Sequence, residues 1–147
     1  MKASQFLSAE QQEMILSAIK GAEEATSGEI RIHIENSFTG DVLDRAAWIF
    51  NKLGMQKTEL RNGVLFYLSV ENRKFAIIGD AGINAKVEPG FWDSTKDIVE
   101  KHFKEGKFAE GLAGGITMAG EQLKKHFPCK RDDINELSNE ISFDNPK

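Results

Sequence analysis

Between Arg61 and Gly82 the chain carries two apolar runs, Val64 to Val70 and Phe75 to Ile78, split by the polar cluster Glu71-Asn72-Arg73-Lys74. Each run is too short for a globular helix and rich in β-branched and aromatic residues, so the pair predicts a hairpin at the centre of a sheet. Asn62-Gly63 leads into the hairpin and Gly79-Asp80-Ala81-Gly82 leads out of it. Small residues that tolerate unusual backbone angles therefore bracket it, and hairpin geometry brings the two brackets together. Upstream, Glu29-Ile30-Arg31-Ile32-His33-Ile34-Glu35 alternates with period two and predicts a strand with one face covered. That pattern leaves His33 on the polar, exposed face, and no second histidine stands at metal-binding spacing.

Helical spacing fills the rest. Ser8 and Gln11 form a capping-box pattern ahead of Met14, Ile15, Ala18, Ile19 and Ala22, predicting a first helix that ends near Ala25-Thr26. Asp41 opens a second through Val42, Ala46, Ile49, Phe50 and Leu53, stopped by Gly54. Pro89 and Gly90 open a third carrying Phe91, Trp92, Ile98, Val99 and Phe103. A fourth runs from Phe108 to Leu123 and contains Gly111, Gly114, Gly115 and Gly120. Glycine costs helix stability, and no strand precedes these four, so they predict close packing against another element rather than a phosphate loop. The order strand, helix, strand predicts a right-handed crossover between parallel strands, to which the hairpin adds an antiparallel one. The expected fold is a Rossmann-like three-layer α/β/α sandwich with a mixed sheet over residues 1–127. A polar tail, 128–147, is expected to dock through Ile134, Leu137, Ile141 and Phe143.

Charge and composition narrow the chemistry. The 147 residues have a formal net charge of -4, which disfavours nucleic acid and makes a cation the more natural ligand. Cys129 is the single cysteine, so no internal disulfide exists, and it follows Pro128 in a polar tail with no base nearby in sequence. The N-terminus lacks a signal-peptide pattern and no run is long enough to span a bilayer, so a cytoplasmic protein without membrane insertion is expected.

The predicted topology collects Glu29, Asn62 and Asp80 at one end of the sheet. Two carboxylates, an amide oxygen and glycine-freed carbonyls suit a hard cation, Ca²⁺ or Mg²⁺, with Glu88 or Asp93 as a further donor. The same residues also read as a turn, a cap and a strand-end charge. The opposite end offers Asp41 and Asp44 near Glu35 and Glu71, where open α/β sheets bind ligands. There Asp41 is equally explained as a helix cap and Asp44 by the helix dipole. Arg61 and Arg73 offer positive charge for a phosphate ester but fall at opposite ends. No serine stands in a nucleophile elbow, and Phe91 and Trp92 read as core or partner-facing aromatics.

Four motifs in this order resemble the TPM domain family: Ser27-Gly28-Glu29-Ile30, Arg61-Asn62-Gly63-Val64-Leu65, Arg73-Lys74-Phe75 through Gly79-Asp80-Ala81-Gly82, and Phe108-Ala109-Glu110-Gly111-Leu112. The resemblance runs from about Ser8 to about Phe127. It implies an α/β sandwich with a mixed sheet, divalent-cation binding of the kind associated with several members, and a stand-alone domain that serves as a binding or accessory module, with a protein partner as one option. Relatives include thylakoid-lumen proteins linked to acid-phosphatase activity, so the alternative implied is a metal-dependent phosphatase. Family members often carry a signal peptide and a transmembrane helix, which this chain does not show. Where much of the family places an aromatic between two glycines, this chain has Gly79-Asp80-Ala81-Gly82, an added carboxylate.

Overall fold

The computed structural model describes residues 3–128 and 141–143. Its elements are α1 (Ala9–Glu24), β1 (Glu29–Glu35), α2 (Val42–Lys52), β2 (Gly63–Ser69), β3 (Lys74–Gly79), the one-turn α3 (Ala81–Asn84), α4 (Asp93–Lys104), α5 (Phe108–His126) and β4 (Ser142–Phe143). Short 3₁₀ turns at Ala3–Gln5 and Met55–Lys57 complete the order. The strands lie in the order β3-β2-β1-β4, with β1 parallel to β2 and to β4, and β2 antiparallel to β3. The sheet is therefore mixed, as expected, but its centre is β2 and β1. The hairpin places β3 at an edge, where its ends are partly exposed while every residue of β2 is buried.

Two apolar layers sandwich the sheet. Ile30, Ile32, Ile34, Val64 and Phe66 face Ile15 and Ile19 of α1, Val99 of α4 and Leu112 and Ile116 of α5. On the other face Leu65, Tyr67 and Ala76 meet Ala46, Ile49 and Phe50 of α2. Period two on the strands and period 3.6 on the helices thus meet as the alternation requires. The glycines of α5 make the first layer tight. A Cβ at Gly115 would lie 2.5 Å from Val99 Cγ2, one at Gly120 would lie 2.5 Å from Ala22 Cβ, and one at Gly111 would lie 2.8 Å from His102 Cβ. Only Gly114 faces open space.

Three expectations change. Glu29, His33 and Glu35 are buried rather than exposed, so β1 is covered on both faces. Part of the reason is the C-terminal tail, which was expected to dock but not to form a strand: Ser142 and Phe143 pair with His33 and Ile34 as a fourth strand, and Ile141 and Phe143 pack against the core. Ile134, Leu137 and Cys129 lie outside the described residues. The third predicted helix begins late, because Gly90 takes a left-handed conformation (φ 81°) that a helix cannot include. Phe91 and Trp92 precede α4, stacked edge to face on each other.

Candidate functional site

The register puts Glu29 opposite Gly63 and Val64 opposite Gly79, so the start of β1, the start of β2 and the end of β3 do share one end of the sheet. The expected trio arrives there, but its members are differently employed. Arg61 grips Asp80 with two parallel hydrogen bonds, Nε to Oδ2 at 2.7 Å and Nη2 to Oδ1 at 2.8 Å. Oδ1 also accepts the amide of Ala81 at 2.7 Å and so caps α3. This hydrogen-bonded carboxylate raises the Arg61 pKa above its ordinary value. Arg61 itself sits at φ 52°, and its carbonyl accepts the amide of Gly82. Asp80 is thus a brace between the entrance and the exit of the hairpin, its charge met by a guanidinium.

Asn62 ties in β1: its carbonyl accepts the Glu29 amide at 3.3 Å, and its Nδ2 donates to Ser27 Oγ at 3.4 Å. The carboxylate that joins Glu29 comes from α1. Glu23 Oε2 accepts the amide of Ile30 at 3.0 Å. Burial, together with the charge of nearby Glu29, pushes the Glu23 carboxyl up to about 7, against the pull of that backbone amide. Sequence reading missed Glu23. The available signal was an acid in the last turn of a helix, the position the helix dipole disfavours, six residues ahead of a second acid. Glu88 and Asp93 instead line a separate hollow with Pro89, Phe91 and Trp92.

At the opposite end, Asp41 caps α2, its Oδ1 accepting the amides of Leu43 at 2.8 Å and Asp44 at 3.2 Å. Both aspartates are exposed. Glu35, expected beside them, is engaged inward. Arg45 holds it through two 2.8 Å hydrogen bonds, and the Tyr67 hydroxyl donates to it. Although burial works the other way, the bonds from Arg45, then His33 and Tyr67, hold the Glu35 carboxyl down to about 2. Burial and the adjacent carboxylate push the Tyr67 hydroxyl up. His33 Nδ1 lies 2.9 Å from Ser142 Oγ, and its Nε2 lies 3.6 Å from Glu35 Oε1.

The set Ser142, His33 and Glu35 has the composition of a nucleophile triad but not its physics. The acid is already neutralised by Arg45, the hydroxyl lies within a paired strand, and all three side chains are buried. It joins β4 to β1 and β2 as a polar weld. Arg61 and Arg73 lie at opposite ends, as expected, and Arg61 is engaged with Asp80. Among the described residues no group of three or more His, Cys, Asp or Glu side chains is arranged to hold a metal ion. No helix among them is long and apolar enough to cross a membrane.

Comparison with known proteins agrees with this architecture. The NMR structure of the BA42 protein from the psychrophilic bacterium Bizionia argentinensis superposes with a TM-score of 0.91 at 49% identity, covering 97% of this chain and 99% of that one. The N-terminal domain of a P. gingivalis protein shares the fold at 21% identity and a TM-score of 0.69, over 84% of this chain and 80% of that one. So does the N-terminal domain of cg2496 from Corynebacterium glutamicum, at 17% identity and a TM-score of 0.64, over 81% and 74%. No curated protein matches. The family model for the TPM domain matches residues 1–122. Sequence motifs, topology and these likenesses agree: the chain belongs to the TPM domain family.

Proposed function

We propose that this chain is a binding or accessory module that takes a divalent cation, Ca²⁺ or Mg²⁺, at the amino end of its parallel strands. The donors would be the carboxylates of Glu23 and Glu29 and the side-chain oxygen of Asn62. The observation that supports this reading is the Glu23–Glu29 neighbourhood. Two acids held close, one of them desolvated enough to reach a pKa of about 7, repel each other when both are charged. A hard cation with oxygen ligands would relieve that repulsion. Asp80, expected as a donor, is held by Arg61, so the proposal takes Glu23 in its place and retains Glu29 and Asn62.

The test is a Ca²⁺ and Mg²⁺ titration followed by amide chemical shifts at pH 7.5, on the wild type, Glu23→Gln and Asp41→Asn. Shifts should centre on Gly28 to Ile30 and on Asn62, vanish in Glu23→Gln and persist in Asp41→Asn. Binding should tighten about tenfold between pH 6 and pH 8, because the cation must displace the Glu23 proton at the lower pH. Shifts centred on Asp41 to Arg45 would move the site to the other end of the sheet, and no saturable shift at millimolar metal would remove the cation reading. The phosphatase alternative draws no specific observation. Turnover of a chromogenic phosphate ester, with and without metal, separates it from a binding module.

A further inference from the structure

A hollow of about 690 Å³ opens at the carboxyl end of β2, on the face of the sheet covered by α4 and α5. Its walls are Phe6, Leu68, Val70, Phe75, Phe103 and Phe108. The four phenylalanine rings form one chain of contacts: Phe75 against Phe103 at 5.4 Å, Phe103 against Phe108 at 5.2 Å, and Phe108 against Phe6 at 4.8 Å between centroids. The volume falls in the range of small-molecule sites, and the hollow lies beside the turn of the β2–β3 hairpin. Phe6, Phe103 and Phe108 remain only partly buried although they pack against the core.

The mouth carries charge. Arg73 and Lys104 line it, both exposed, and neither has an ion-pair partner among the described residues. Glu100 is the single acid among the described residues of the lining. Arg73 sits in the turn of the hairpin at φ 53°, a left-handed backbone conformation uncommon for residues other than glycine. An apolar, ring-lined interior whose mouth carries two cations against one acid among the described residues suits a ligand with an apolar body and one anionic end.

We infer that this hollow binds a free single-chain fatty carboxylate, its alkyl chain among the four phenylalanines and its carboxylate between Arg73 and Lys104. This site is independent of the cation site and stands or falls without it.

The probe is dodecanoate, kept below its micellar concentration and followed by amide shifts and calorimetry on the full chain. Shifts should be confined to Phe6, Leu68 to Phe75 and Phe103 to Phe108. Shortening the chain to decanoate should weaken binding about tenfold, the effect of two buried methylenes. Dodecanol and dodecylammonium should each bind at least tenfold more weakly. Arg73→Asn with Lys104→Gln keeps a residue that tolerates the turn and removes both charges; it should lower dodecanoate affinity about tenfold and leave dodecanol unchanged. Val70→Phe, which narrows the hollow without deleting core, should abolish binding with no loss of fold. Equal affinity for dodecylammonium, shifts scattered over the surface, or binding only to vesicles of anionic phospholipid would each overturn the proposal.

Discussion

Gly82 can be nothing larger: a Cβ built there would stand 2.0 Å from the carbonyl oxygen of Leu60 and 2.6 Å from that of Arg61. Both contacts are with backbone, which cannot swing aside as a flexible side chain would. Gly82→Ala should therefore destabilise the fold by roughly 3 kcal/mol or more, read as a lower urea midpoint, through overpacking at a site that cannot relax. The motif Gly79-Asp80-Ala81-Gly82 was legible as small residues where the two ends of the hairpin meet, but they were expected for unusual backbone angles, and neither glycine takes a positive φ. The purpose of the motif was not legible, because Arg61, the partner that claims Asp80, lies nineteen residues away and the sequence offers several acids for it. Tyr67 carries a similar lesson. It read as one aromatic in an apolar run, yet its hydroxyl is spent on Glu35 inside a fully buried setting. Tyr67→Phe keeps the ring and leaves Glu35 to Arg45 and His33, so the expected cost is about 1–2 kcal/mol in chemical denaturation.

At the level of elements, α5 was read well because glycine in a helix has few explanations. Gly111, Gly115 and Gly120 each face a neighbour too close for a methyl group, and Gly114, the exception, faces solvent space. The strand β1 was read well in its extent and wrongly in its environment. Period-two alternation reports which residues share a face, but it cannot report whether another strand and a buried ion pair cover the polar one. The tail supplied part of that cover, beside His33, and two residues of a polar segment give no strand signal. Its hold on the sheet rests on backbone pairing, the contact of Ser142 with His33 and the packing of Ile141 and Phe143 against the core. Ser142→Ala should cost about 1 kcal/mol. It should also speed hydrogen exchange at the β1 amides that face β4, with the amides bonding β2 to β3 unchanged. Equal acceleration on both sides of the sheet would show that β4 supports the whole fold rather than one edge.

For the whole molecule, two carboxyls of opposite character set how stability follows pH. Glu35 is held down to about 2 in the folded state against an ordinary 4.5. Its contribution is fully present above 4.5 and is lost as pH falls toward 2. Glu23 is raised to about 7. Between 4.5 and 7 the folded state holds a proton there that the unfolded chain has released, so stability falls as pH rises through that window. The two effects leave a maximum near pH 4.5–5 and a decline on the order of 2–3 kcal/mol by pH 8 from Glu23, reduced by whatever solvent reaches it. Glu23→Gln keeps an acceptor for the Ile30 amide and removes the charge. Its urea midpoint should match the wild type at pH 5 and exceed it at pH 8. The cation reading adds a linked expectation: millimolar Ca²⁺ at pH 8 should restore the wild type toward its pH 5 stability and leave Glu23→Gln unmoved, since a ligand stabilises only the state that binds it. A wild type whose stability rises smoothly from pH 5 to pH 8 would mean that Glu23 is ionised without penalty. The strain on which the cation proposal rests would then be missing.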